Sequence, residues 1–192
     1  MSLRVLVIPE DFTKDGGALK LIVQAAIAEA GRPSANVQIC QSPRFGGLDE
    51  CLKVERIANE VIQRYRGMVD VFVQVVDRDG VTGRQAALMR IEASLEPALH
   101  GAAFISVMAW EEVETWILAG FDDLPTAWGT VRTEPHVKER FYLPYARKRD
   151  VAMAVAEGRR LLAPEAVRHW SRMEQRCKED LGALVQRLRQ TL

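Results

Sequence analysis

Acidic residues stand directly behind three of the four apolar runs in this chain. Ile8-Pro9 leads into Glu10-Asp11, Val75-Val76 into Asp77-Arg78-Asp79-Gly80, and Met108-Ala109-Trp110 into Glu111-Glu112-Val113-Glu114. If the runs are parallel strands, these carboxylates share the rim at which open α/β sheets bind their ligands. Like charges crowded on one rim repel, so the group persists at neutral pH only if some members are protonated or a cation sits among them. Oxygen ligands without His or Cys select Mg²⁺ or Mn²⁺. In Asp77-x-Asp79 the two-residue step lets both carboxylates turn toward one ion as the backbone leaves the sheet. Gly80 and Gly83 then let the chain bend closely, leaving space for phosphate oxygens. A single Asp at such a place more often caps the following helix or turn; the pair together with Glu10 points to a metal. Glu112 and Glu114 read in two ways. They are acids in the first turn of an amphipathic helix, favoured by its dipole, or, Glu114 foremost, ligands of a second ion.

The elements that must position these residues follow from hydrophobic patterning. Four short β-branched runs, 3–8, 37–40, 69–76 and 103–108, alternate with amphipathic stretches of helical length, the order of parallel strands joined by helical crossovers. Three runs are almost continuously apolar, as central strands are, and 37–40 reads as an edge. Helices are predicted over 18–30, where Leu19, Ile22, Val23, Ala26 and Ile27 share a face, over 51–65, over 84–95, and from near Trp110. The predicted fold is α/β: a three-layer α/β/α arrangement with a four-stranded parallel sheet of order 2-1-3-4. Strand one then lies beside strand three, and Glu10 faces the Asp pair. Residues 121–145, rich in Pro, Trp, Tyr and Gly, read as irregular. A helical tail of two or three short helices follows from about residue 150, with Pro164 in the first turn of one of them. The chain divides into 1–120, the metal-binding sheet domain, and 121–192, a basic appendage packed on the same domain.

Composition sets the outer bounds. At 192 residues, 48% apolar and 27% charged, the chain reads as a globular domain rather than a disordered or fibrous one. Lys20, Gln24 and Glu29 interrupt the longest apolar stretch, well short of the roughly 20 residues of a membrane helix. The start lacks a signal-peptide pattern, and a cytoplasmic location is expected. Cys40, Cys51 and Cys177 are odd in number and scattered, which predicts reduced, mostly buried thiols rather than disulfides or a zinc site. His100, His136 and His169 are equally dispersed and read as structural. Charge is balanced at 26 basic and 26 acidic residues, yet residues 130–192 hold 14 basic against 8 acidic, a net of +6 that leaves −6 on the rest. Lys138, Arg140, Arg147, Lys148 and Arg149 follow the irregular segment and are the candidates for phosphate contacts. Trp110 and Trp116 read as core rather than as base-stacking platforms.

A Glu after the first strand and an Asp-x-Asp after a later one resemble the Toprim fold, the metal-dependent domain shared by topoisomerases, primases, OLD-type nucleases and small recombination and RNA-maturation nucleases. Gly83 resembles the family's glycine after Asp-x-Asp, displaced by one, and the likeness covers about residues 1–120. More narrowly, Glu112-Val-Glu114-Thr-Trp116 and the segment Phe141-Tyr-Leu-Pro-Tyr-Ala-Arg-Lys148 resemble a family of small bacterial Toprim-like proteins of unknown function. Asp11 stands where a typical Toprim domain has Gly, and the distance from Glu10 to Asp77 is long for a minimal domain. The resemblance implies phosphoryl transfer on nucleic acid, with Asp77 and Asp79 holding Mg²⁺ or Mn²⁺ and Glu10 acting as general acid/base or completing the metal site. Such catalysis needs no Ser or Cys nucleophile. The leading expectation is therefore a metal-dependent nuclease or nicking enzyme. The alternatives are a glycosyl- or nucleotidyltransferase that uses Asp-x-Asp to hold a nucleotide diphosphate, and a non-catalytic regulatory or nucleic-acid-binding module on the same fold. Nucleic acid is the expected partner and a membrane is not; a homodimer formed through the tail and a protein partner are left open.

Overall fold

The computed structural model describes Ser2–Leu192. The first half builds the sheet: β1 (Arg4–Pro9), α1 (Phe12–Glu29), β2 (Asn36–Ile39), α2 (Leu48–Cys51), α3 (Val54–Arg56), β3 (Val71–Asp77), α4 (Arg84–Leu95) and β4 (Ala103–Ala109). The four strands are parallel in the order β2-β1-β3-β4, with Val5 opposite Val37, Val7 opposite Val73 and Val73 opposite Ile105. This is the order expected from the sequence, and β2 is the edge.

Strand alternation sends side chains to two cores. Val5, Val7, Val73, Val75, Ile105 and Val107 pack with α1 and the C-terminal helices on one face. Leu6, Ile8, Phe72, Val76 and Phe104 pack on the other face with α4 and the segment running from α2 to Ile62. Because the β1-to-β2 crossover lies on the first face and the β2-to-β3 crossover on the second, the chain changes direction between β1 and β3. In open α/β sheets such a reversal marks the place where ligands bind.

Several helices differ from their predicted extents, each for a local reason. α1 starts six residues before the predicted 18, because Asp11 caps it: its Oδ1 accepts from the Thr13 and Lys14 N–H groups at 2.8 and 3.0 Å. Asp11 is thus a helix cap. The predicted helix 51–65 is broken. Gln74, buried in β3, donates its Nε2 to the Cys51 carbonyl at 2.5 Å, taking the acceptor that a continuous helix would use. The chain resumes at α3 and runs into a π-helical segment, Ile57–Ile62.

The helix expected from Trp110 begins instead at Val113 (α5, Val113–Ala119), since Glu111 adopts a left-handed backbone with φ 65°. The segment expected to be irregular holds α6 (Trp128–Arg132) and a π-helical turn, Lys138–Tyr142, that continues into α7 (Leu143–Lys148). The tail forms α8 (Arg159–Val167), α9 (Trp170–Arg176) and α10 (Ala183–Thr191), as expected in number. Pro164 lies inside α8 rather than in its first turn, because the left-handed Gly158 starts that helix five residues before the proline.

α8 lies against α5 so closely that a Cβ on Gly120 would sit 2.5 Å from the Ala166 Cα. The three cysteines are buried and unpaired. Among the described residues no helix is long and apolar enough to cross a membrane.

Candidate functional site

Glu10 extends β1 past its last paired residue. Its N–H donates to the Val75 carbonyl, and its Oε2 accepts from the Asp77 N–H, both at 3.1 Å. The Glu10 carboxylate therefore lies across the end of β3. Asp77 closes that strand, and its Oδ1 accepts from the N–H of Val113, the first residue of α5, at 2.9 Å. Burial drives the Asp77 carboxyl well above the usual carboxylate range, with further push from Glu114, Asp15, Glu10 and Asp79. Burial also raises Glu10, against the opposing hydrogen bond from Asp77. Asp79 sits on the loop above them with its side chain about half exposed.

Glu111 shapes this loop. Its carboxylate accepts from Arg78 Nη1 at 2.5 Å and from the Gly80 N–H at 2.7 Å, and its carbonyl accepts from the N–H groups of Arg78 and Asp79. Asp79 and Glu111 both take left-handed backbones, φ 52° and 65°. Such conformations in non-glycine residues cost energy and persist only where surrounding contacts enforce them.

A second layer of charge comes from the appendage. Arg159, 3% exposed, sits among three carboxylates: it is bonded to Glu114, its Nε lies 3.2 Å from Asp15 Oδ1, and its Nη1 lies 2.6 Å from Glu157. Lys138 joins the same group, with its Nζ 3.2 Å from Glu157 and its N–H donating to Glu112 Oε2 at 2.6 Å. Burial pushes Asp15 up to about 7 even with Arg159 opposing it. Glu112 is likewise raised to about 7, chiefly by burial, against the hydrogen bond from Lys138.

The residues predicted from sequence therefore divide. Glu10 and Asp77 are locked together, with Asp79 on the loop above. Glu114 and Glu112 adjoin them, but Glu114 already has Arg159 as its cation. Of the basic candidates only Lys138 reaches this rim. Arg140 pairs with Glu134, Lys148 with Asp123 and Arg149 with Glu165, none of which belongs to the cluster, and Arg147 is exposed. Trp116 is core, its Nε1 donating to Asp180 at 2.6 Å. Trp110 is only half-buried, between the guanidinium groups of Arg78 and Arg132 at 4.1 and 5.1 Å from its ring centre.

Sequence reading missed Asp15, Arg159 and Arg84. Arg84, the first residue of α4, is buried, and its Nη2 lies 3.9 Å from Asp79 Oδ2.

The donor set suits a hard cation. Among the described residues no three His, Cys, Asp or Glu side chains converge closely enough to grip an ion directly. Mg²⁺ does not need such a cage, since it keeps several waters and takes one or two carboxylates. Two half-buried carboxyls with elevated pKa, at the ends of adjacent strands, are the groups that such an ion would relieve.

The raised carboxyls give stability a definite pH dependence. In the unfolded chain Asp15 and Glu112 lose their protons near 3.8 and 4.5, whereas in the fold they hold them to about 7. Their contribution is thus fully present below about pH 4 and is lost as pH rises toward about 7. Asp70 and Asp123, held down by Arg4 and by Tyr145, titrate below this window. In EDTA the melting temperature is expected to fall by several degrees between about pH 5.5 and about pH 8; a Tm that is flat or rises over this interval would show that the buried carboxyls are not protonated.

No family model, no curated protein and no solved structure matches the chain.

Proposed function

We propose that this chain is a Toprim-like phosphodiesterase, a nuclease that acts on nucleic acid with Mg²⁺ or Mn²⁺. The supporting observation is the junction of Glu10 with Asp77 at the ends of adjacent strands, both half-buried and both raised in pKa, beneath the Asp79 loop. Asp77 and Asp79 would hold the ion, with Glu10 at its side. When bound, the cation neutralises charge on the phosphodiester and makes its water more acidic. Glu10 then has the role of proton carrier. As the water oxygen bonds to phosphorus, one water proton passes to the Glu10 carboxylate. The bond to the leaving oxygen breaks, and that oxygen takes a proton back from Glu10. A carboxyl raised by burial is suited to both transfers near neutral pH.

Arg159 already neutralises Glu114 and Asp15, which favours one ion over two. Lys138 is the appendage cation best placed to meet a phosphate of the strand, and the basic balance of residues 130–192 supports a polyanionic substrate.

The test is incubation with supercoiled plasmid, single-stranded DNA and RNA in Mg²⁺, Mn²⁺ or EDTA. Cleavage of at least one substrate with either metal, none in EDTA, and strong impairment by Glu10→Gln is the expected result. Folded protein that binds Mn²⁺ and cuts nothing would overturn the nuclease reading. Tight uptake of a nucleotide sugar by that protein would select the transferase, and metal-independent, salt-sensitive binding of nucleic acid would select the non-catalytic module.

A further inference from the structure

One buried cation at the rim makes no side-chain hydrogen bond among the described residues. Arg84 is 8% exposed, and its Nε is sealed from solvent without a hydrogen bond. The nearest anion among the described residues is Asp79, whose Oδ2 is 3.9 Å away, beyond hydrogen-bond reach. A guanidinium carries five N–H donors in a planar fork, and leaving such a group buried and unbonded is costly. Arg159 is buried too and its Nε likewise lacks a hydrogen bond, but its other two guanidinium nitrogens are bonded to Glu157 and Glu114, whereas no side-chain nitrogen of Arg84 is bonded among the described residues. Arg84 therefore has donors to spare at the place where the proposed chemistry occurs.

The backbone around Arg84 favours an anion as well. α4 is twelve residues long and opens at Gly83, in a left-handed conformation with φ 89°, with no side chain capping its first amides. A helix of this length presents free N–H groups and the positive end of its dipole at that terminus. No Cβ fills the turn, since an added Cβ on Gly83 would meet nothing within 4 Å.

We infer that Arg84 is the phosphate-binding residue of this site: its guanidinium takes two oxygens of one phosphate group, beside the cation position proposed at Asp77 and Asp79. The inference rests on the reading of the site as a metal-dependent phosphodiesterase and adds the group that grips the anion. A forked, two-donor contact to phosphate is the geometry that distinguishes Arg from Lys. The phosphate belongs either to a nucleic-acid strand or to a free small anion, and the two sources are separable by experiment.

The experiment compares wild type, Arg84→Gln and Arg84→Lys in three titrations: Mn²⁺ alone, inorganic phosphate with and without Mn²⁺, and a short labelled single-stranded DNA with Ca²⁺ in place of Mg²⁺ to prevent cutting. Arg84→Gln is expected to weaken DNA binding by about 10- to 100-fold. The same variant should hold Mn²⁺ as well as or more tightly than wild type, because a positive charge has been removed from beside Asp79 and Glu10. A purely structural loss would weaken both ligands. Arg84→Lys keeps the charge without the fork and is expected to bind DNA several-fold more weakly than wild type; it decides the matter if the Gln variant fails to fold. A parallel loss for inorganic phosphate identifies a subsite for any phosphate, while a loss confined to DNA identifies one that needs the strand. Unchanged DNA and phosphate binding in both variants, or a wild type that binds neither anion, would overturn the assignment. If wild type takes no Mn²⁺, the metal reading falls, and the metal-free phosphate titration still judges Arg84 by the same comparison.

Discussion

Asp77→Asn is expected to lose metal-dependent cleavage by at least about 100-fold, since even groups that only support a metal's ligands cost 10- to 100-fold when removed, and yet to make the metal-free protein more stable. Both effects have one cause. Asp77 is half-buried, and its folded carboxyl is pushed well above 3.8 by desolvation and by the charges of Glu114, Asp15, Glu10 and Asp79. Folding at neutral pH therefore requires either taking up a proton or holding a repelled charge, and Asn requires neither. Its Oδ1 keeps the role of accepting from the Val113 N–H at 2.9 Å. The gain should be about 1–2 kcal/mol near pH 7.5, or a few degrees in Tm. The sign with pH is fixed: the unfolded Asp ionises above 3.8 while the folded one keeps its proton, so the advantage of Asn grows as pH rises and shrinks toward about pH 4. Unfolding curves of both proteins in EDTA at about pH 5 and about pH 7.5 test it. A destabilised Asn variant at the higher pH would mean that Asp77 is a structural cap whose charge the fold needs.

The sheet was legible because its signals are local and repeated. The runs at β1, β3 and β4 are apolar nearly throughout, and the order β2-β1-β3-β4 follows once crossovers are short and right-handed. The acids after β1 and β3 were equally plain. What escaped notice were charges on apolar stripes. In α1 the buried face runs Leu19, Ile22 and Ala26, and stepping back four residues lands on Asp15. In α4 it runs Leu88, Ile91 and Leu95, and the same step lands on Arg84. In α8 it runs Ala163 and Ala166, and the step lands on Arg159. A charged residue one turn ahead of a hydrophobic stripe is aimed where the stripe is aimed, so this pattern could have found all three. Beginning the α1 reading at 18 hid the first of them, because Gly16 and Gly17 masked a helix that Asp11 in fact caps. The partners of these charges left no such trace. Arg159 meets Glu114 across 45 positions and Asp15 across the whole sheet domain, and no periodicity of either segment encodes the meeting. The same holds for the buried Gln74, whose bonds to Cys51 and Ser106 break one helix and tie two strands.

Arg159→Met is expected to cost about 3–5 kcal/mol of stability, the range for removing one partner of a buried ion pair. Methionine fills most of the volume but leaves Asp15 and Glu114, both buried, facing each other without the cation. The loss should exceed that of the double variant Arg159→Met with Glu114→Gln, because the second change removes a charge that the first has stranded; a urea titration of the two singles and the double measures that coupling. Lower pH should soften the penalty, since Asp15, already raised to about 7 in the fold, can then stay neutral. Divalent ions offer a sharper discrimination. With the guanidinium gone, Asp15 and Glu114 become an acidic pair with nothing to balance it, and Mn²⁺ should restore part of the lost stability in Arg159→Met more than it stabilises wild type. Restoration by Mn²⁺ would mean that the appendage contributes a fixed cation where a second ion would otherwise sit, which ties the tail to the chemistry of the sheet. A variant as stable as wild type would show instead that the carboxyls are neutral without Arg159, and the one-ion reading of the site would lose its physical basis.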